Sequence, residues 1–314
     1  MKKALKIIGK TIAIALASVF ALVTVVLGGL NFAKFILYSD YYSIETALCK
    51  NPGIHDGFVC QGIAAVEEEG KILVAGYMND KSNSRIYVTD LDSNSYYVSL
   101  ERDGKKYTGH AGGIATTGDN VYLANGSKIY TFPLESILSA KNGDVVDIGS
   151  GTEVNNNASF VYTDEQYLYV GEFHDGGKYV TDHIYETEDG TYHAIISRYL
   201  IDDLSAPDKI YSVRNKVQGA CFTPDGKVVL STSYGLSDTV YYVYDEADAT
   251  PSGETLDGAP VYYLDDLKQE IHGPAMGEDL DYSGGKVITL TESASDKYIF
   301  GNFFFAYDIV SLDI

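Results

Sequence analysis

The sequence predicts an all-β chain, a five-bladed β-propeller behind one N-terminal transmembrane helix, and three observations predict it. A 23-residue uncharged run follows four lysines at the start of the chain. Five later segments repeat one pattern of two short apolar strands around a turn. The composition suits many strands and tight turns, with 31 Gly, only 7 Pro, 27 Tyr and no Trp.

The helix comes first. Lys2, Lys3, Lys6 and Lys10 precede the run Thr11–Ala33, which Lys34 closes. As a helix that run would span roughly 35 Å, enough for a hydrocarbon core of about 30 Å. The basic end should stay in the cytoplasm, so residues 1–39 read as a signal anchor and 40–314 as an extracytoplasmic domain of a single-pass membrane protein. Tyr38, Tyr41 and Tyr42 fall where an interfacial aromatic belt would lie. The alternative is a protein secreted after signal cleavage. The exit Gly28-Gly29-Leu30-Asn31-Phe32-Ala33 offers no clean small-x-small pair, which favours the uncleaved anchor.

The formal charge of −21 conceals a split. Residues 1–39 hold five Lys and no acid, leaving 18 basic residues against 44 acidic ones, a net of −26. Such a surface repels phosphate backbones, so nucleic acid is not an expected partner. The three cysteines cannot build a disulfide scaffold and have no zinc-site spacing. Cys49 and Cys60 stand where a bridge is chemically permitted, and a bridge is the expectation, with two unpaired thiols the alternative. Cys221 lies in an apolar strand and reads as a small core residue.

The repeats read QGIAAVEEEGKILVAGY from Gln61, GGIATTGDNVYLANGS from Gly112, NASFVYTDEQYLYVGEF from Asn157, QGACFTPDGKVVLSTSY from Gln218 and EDLDYSGGKVITLTES from Glu278. Turn residues recur at matching places: Glu69-Gly70, Gly118-Asp119, Asp164-Glu165, Asp225-Gly226 and Gly284-Gly285. The openings are 51, 45, 61 and 60 residues apart, and a four-stranded blade with its loops needs about 40–50. Further strands are expected at Arg85–Leu91 and Tyr96–Leu100 in the first blade, and at Lys128–Phe132 and Val145–Ile148 in the second. The third should have Ala194–Ile201 and Lys209–Val213, and the fourth Val240–Tyr244 and Pro260–Tyr263. Asp175–Tyr192 and Glu246–Ala259 read as surface insertions. The last segment has room for three strands, ending in Phe303–Leu312. Since a ring must not leave a raw edge, residues 40–58 should supply the missing strand.

The phrases HAGGIA at His110, VQGACFTPDGKVVLSTSYG at Val217 and PAMGEDLDYSGGKVITLTES at Pro274 resemble an exported bacterial β-propeller family. That family is similar in style to gluconolactonase-like and strictosidine-synthase-like propellers. Phe58-Val59-Cys60-Gln61-Gly62-Ile63 is also similar, with one extra residue, to the opening phrase of five-bladed glutaminyl cyclotransferases. Ala111-Gly112-Gly113-Ile114 lacks the acid those enzymes carry there, which counts against their activity. The resemblances imply a fold and no particular chemistry.

Motifs for chemistry are few. The chain has no G-x-S-x-G elbow, H-E-x-x-H helix, P-loop, dinucleotide fingerprint or EF-hand loop. What remains is positional. A propeller places the repeat openings at one level on one face, which would gather Gln61, Asn157, Gln218 and Glu278, with His110 at the lip. The ends of the second strands return to that face and add Tyr77, Glu172, His174, Ser233, Tyr234 and Glu292. Gln61, His110, Asn157, Gln218, Ser233, Tyr234 and Glu278 are therefore the candidate ligand-binding residues. Glu172, Glu278 and Glu292 beside amide oxygens are the candidate ligands for Ca²⁺. The plainer reading is that these polar groups only satisfy strand ends and channel water. Two functions follow. One is a membrane-anchored module binding a small molecule, a glycan or an extracellular protein. The other is a lactonase-like hydrolase or lyase, with His110 and Glu278 moving protons.

Overall fold

A computed structural model describes residues 2–187, 189–298, 301–304 and 306–314. The propeller is built from hairpins, because each repeat turn holds a residue in the left-handed region, and the fifth holds two, Gly284 and Gly285. In the others that residue is Gly70, Gly118 or Gly226, while Glu165, at φ 75°, accepts the same conformation in the third blade.

Five blades result. The first runs antiparallel through Phe58–Val66, Lys71–Met78, Arg85–Asp90 and Ser95–Arg102. In the second, Gly113–Thr117 pairs with the start of Asn120–Pro133. That long strand doubles back at Gly126 (φ 64°), which brings the Leu134 N–H to the Asp119 carbonyl, and its return arm pairs with Thr152–Ala158. The third blade is Phe160–Thr163, Tyr167–Gly171, Ala194–Leu200 and Lys209–Val213. The fourth is Val217–Phe222, Lys227–Thr232, Thr239–Asp245 and Leu267–Gly273. The fifth is Gly277–Ser283, Lys286–Thr291 and Asp308–Leu312, completed by Glu45–Lys50 from the other end of the chain. The expected closure is thus made by main-chain bonds on the outer edge of the last blade.

The inner strands converge, each touching the next in cyclic order and the last touching the first. Their repeated glycine is a spacing device. A Cβ on Gly113 would lie 2.5 Å from the Val161 nitrogen, and one on Gly219 2.5 Å from Asp279 Cα. At the same level the first blade has Gly62, whereas the third has Phe160 and the fifth Asp279. Between the third and fourth blades the packing is largely aromatic. Tyr162, Tyr169, Tyr211 and Phe222 cluster across the third and fourth blades, with the Tyr169 and Phe222 rings stacked at 3.9 Å. Much of the tyrosine content is therefore core, and the Tyr162 hydroxyl is satisfied by the Phe222 carbonyl at 2.8 Å.

Five expectations are corrected. Val145–Asp147 is not the outer strand of the second blade; it lies parallel along Ser95–Arg102 of the first. Ala259–Tyr263 likewise lies parallel along Lys209–Val213 of the third blade and carries Thr250–Leu256 outside it. Both excursions cover an outer edge of the preceding blade, a pairing as good for the backbone as the expected one. Cys49 and Cys60 are free and buried. The Cys60 thiol instead donates to the Thr291 carbonyl and accepts from the Asn51 amide. The tyrosines after the helix form no free belt: Tyr38 and Tyr41 are buried against the propeller. The final strand begins at Asp308 rather than Phe303, and Phe305 lies outside the described residues.

The helix Lys2–Leu37 is long and apolar, and its window Lys6–Leu37 has a mean hydropathy of 2.5 with none of it buried. It leads into the short helix Ser39–Ile44, where Tyr41 stacks on Tyr241 and the Tyr38 hydroxyl donates to Asp238.

Gly113→Ala should cost about 2–3 kcal/mol, as overpacking of a backbone contact that cannot yield. At Gly177 an added Cβ would meet only the Asp175 carboxylate, at 3.8 Å, so Gly177→Ala should stay within about 0.5 kcal/mol of the parent. Urea unfolding of the two variants checks the difference.

Candidate functional site

In every blade the inner turn joins the first two strands at one end, and the second strand carries the chain to the opposite face. All the candidate residues lie on that second face, but their hydrogen bonds divide them into three groups.

The first group straddles the junction of the first, second and fifth blades. His110 Nδ1 meets Gln61 Oε1 at 2.8 Å, and Gln61 Nε2 donates to Glu292 Oε1 at 2.9 Å. The Tyr77 hydroxyl also donates to Glu292 Oε1, at 3.3 Å, and its ring lies 4.6 Å from that of His110. Lys297 donates to the Tyr77 hydroxyl from the rim. Glu278 is buried next to this chain, and its carboxyl is held far above the usual range by burial and then by Glu292. Glu292, which keeps some contact with solvent, is raised to about 7 because burial outweighs Lys297 and the donors Tyr77 and Gln61. His110 is crowded by protein yet reaches solvent, and this crowding, followed by Lys297, holds its imidazole below its usual value. The result is a hydrogen-bonded path from a solvent-facing imidazole to a buried carboxyl pair. Such a pair shares protons and can exchange one near neutrality.

The second group is in the third blade. Glu172 accepts from the Asn157 N–H at 3.1 Å and the Ile195 N–H at 3.3 Å, and lies 3.4 Å from His183 Nε2. Burial opposes a charge on His183, but Glu172 pulls its pKa above the ordinary value. His174 stacks on His193 at 4.6 Å. The three carboxylates expected to share Ca²⁺ are therefore separated: Glu278 stands with Glu292, while Glu172 caps backbone N–H groups elsewhere. Among the described residues no group of three or more His, Cys, Asp or Glu could hold a metal ion. At Glu292 the Gln61 amide presents its N–H, not the oxygen a cation needs. The donor set does not fit Ca²⁺.

The third group lies at a cleft of about 360 Å³ between the third and fourth blades, which Ser233 and Tyr234 line and Gln218 backs through Ser233. Gln218 Nε2 donates to Ser233 Oγ at 3.4 Å, and Ser233 Oγ to the Gly277 carbonyl at 2.8 Å. Ser233 and Tyr234 form part of the wall, facing Arg214, Asn215, Lys216 and the hairpin residues Asp189–Tyr192. The Arg214 guanidinium lies 4.1 Å over the Tyr242 ring, bonds the Tyr244 hydroxyl at 2.6 Å and pairs with Asp189. Lys216 has a left-handed backbone, φ 67°, but Ala111 and Met276 share it just before their own inner strands. That conformation belongs to the entry into a blade, not to the cleft.

The basic wall was missed from sequence. Arg214-Asn215-Lys216 directly precedes the fourth repeat, and two cations flanking one amide in so acidic a chain were the available signal.

No protein-family model and no curated protein matches the chain. Solved structures similar to it include the following three. An aldose sugar dehydrogenase from Streptomyces coelicolor, in its PQQ-bound form, is 16% identical over 79% of this chain and 77% of that one, with a TM-score of 0.45. A gluconolactonase from Xanthomonas campestris is 12% identical over 85% and 88%, at 0.41. A GH43_1 enzyme from Xanthomonas citri complexed with xylose is 10% identical over 92% of each chain, at 0.47. The fold rests on the strand pairing itself.

A carboxyl with a raised folded pKa holds its proton more tightly in the folded state. Its contribution to stability is therefore complete below the unfolded value and is lost as pH rises through the folded value. For Glu292 that window runs from the ordinary 4.5 to about 7. Urea midpoints measured from pH 4.5 to 7.5 should fall with pH in the parent, and Glu292→Gln should flatten that fall.

Proposed function

We propose that the chain is a membrane-anchored, extracytoplasmic binding module for a small polyhydroxylated molecule or the end of a glycan. The ligand sits in the cleft between the third and fourth blades. One observation carries this reading. The cleft combines the aromatic residues Tyr192, Tyr234 and Tyr242 with donors at Arg214, Asn215 and Lys216 and acceptors at Asp189 and Asp238. Flat apolar faces beside paired donors and acceptors suit a ring that carries hydroxyls on its edge. Arg214 is already stacked and paired, so the wall is organised before any ligand arrives. The anchor is supported by the exposed apolar helix, whose length also suits a signal sequence.

The second reading, lactonase-like hydrolysis or elimination, is favoured by the Glu278–Glu292 pair with His110 at its solvent end. A carboxyl near 7 can give or take a proton at working pH, and Gln61 links it to the imidazole. This reading places the reaction at the channel mouth and leaves the cleft out of it.

A thermal-shift screen of hexoses, aldonic acids and aldonolactones separates the two. Tyr234 is 48% exposed, so Tyr234→Ala should leave the ligand-free Tm unchanged while weakening the best ligand roughly ten-fold or more. If Tyr234→Ala binds as the parent does, and His110→Ala or Glu278→Gln instead abolishes lactone turnover, the cleft reading is overturned in favour of the channel mouth.

A further inference from the structure

The helix and the loops that join second to third strands leave the propeller on the same face. Lys34 Nζ donates to the Phe304 carbonyl at 3.3 Å, and the Tyr38 ring packs edge-on against Phe304. The Tyr38 hydroxyl donates to Asp238 at 2.7 Å. Phe304 and Asp238 belong to the second-to-third-strand loops of the fifth and fourth blades, so the exit point is held by two of these loops. From Lys6 to Gly29 the helix touches nothing and stands clear of the propeller.

Those loops carry most of the propeller's exposed large apolar residues. Outside the helix, nine such residues are exposed among the described ones, and six lie here: Tyr179, Val180, Ile184, Tyr234, Leu236 and Phe303. They sit only in the third, fourth and fifth blades, on the side where the helix emerges. The corresponding loops of the first two blades, Asn79–Ser84 and Asn125–Ser127, are polar. The tips are also tied together, since Phe173 contacts both Tyr179 and Tyr234. Leu236 is 64% exposed, Val180 62% and Ile184 68%, a poor arrangement for water and a good one for a headgroup–acyl boundary.

We propose that this face lies against the outer surface of the bilayer the helix crosses, with Val180, Ile184, Leu236 and Phe303 dipping into it. The proposal rests on the anchored reading. If the apolar run ends at Ala33, then Lys34 marks the interface, and both it and Tyr38 are bonded to the loops in question. A docked helix base fixes which face the domain turns to the lipid, whereas a flexible linker would let it tumble.

The chain has no Trp, so one introduced Trp reports alone. The full-length protein is reconstituted in phosphatidylcholine vesicles, with or without brominated acyl chains, as Leu236→Trp, Val180→Trp, Ile184→Trp or Gln166→Trp. Gln166 is exposed on an inner turn at the opposite face. The three loop variants should be blue-shifted and lose roughly half or more of their emission to the bromines, and Gln166→Trp should lose none. Equal, unquenched emission from all four, in protein that resists alkaline extraction, would overturn the proposal. Protein that washes off on extraction would sink the anchored reading instead, and this face with it.

Discussion

A ring of blades is only as sound as its seam, and the seam between the fifth and first blades joins residues more than 200 positions apart. Two kinds of bond hold it. On the outside, Glu45–Lys50 completes the last blade with main-chain bonds. On the inside, carboxyl groups of the last inner strand reach for backbone N–H groups of the first and second. Asp279 accepts from Ile63 at 3.3 Å and from Ile114 at 3.4 Å, and Asp281 accepts from Ala65 at 2.7 Å. Around the rest of the ring this level is held by Gly62, Gly113, Phe160 and Gly219, none of which has a polar side chain to bond its neighbour. The fifth blade alone places a carboxyl at this level, and its Asp279 joins the first and second blades at the hub.

The polar network at the channel mouth grows out of the same seam. Glu278 precedes Asp279, and Glu292 directly follows the next strand, so the acids that could move protons sit beside those that close the ring. Burying them has a cost that pairing alone does not cancel, and the protein meets it by keeping carboxyls protonated and supplying donors from Gln61 and Tyr77. Stability and acid–base character are thereby coupled at one place. The cleft between the third and fourth blades is free of that coupling. Its Arg214 is neutralised by Asp189 and supported by tyrosines, and its exposed wall can change without disturbing closure.

The N-terminal helix is tied into this architecture more closely than a tether requires. The short helix after it lays Tyr41 on Tyr241 and places Glu45 at the start of the closing strand. Any segment before residue 45 is thus continuous with the strand that shuts the ring. Orientation of the domain and integrity of the propeller share one stretch of chain.

Much of this was legible in the residues. The repeat of openings and turns, the uncharged helix and the missing strand of the last blade all follow from local pattern, because turn chemistry and strand periodicity act over a few residues. The five-bladed count and its closure by the N-terminal segment needed nothing more. What only the tertiary structure decided were choices among partners of equal local merit. Val145–Asp147 and Ala259–Tyr263 had strand character, but a backbone edge accepts any strand, so nothing in them told which blade they would extend. Cys49 and Cys60 had a permissible spacing, yet Asn51 and Thr291 took the Cys60 thiol. One face did collect the polar openings, as the repeat implied. Whether they met was settled by side-chain reach across blades, which joined Gln61 to His110 and Glu292, sent Asn157 to Glu172 and left Gln218 at the cleft. Hydrogen bonds spanning 231 positions, such as Gln61 to Glu292, leave no trace in the spacing of residues, because they exist only once the ring has closed.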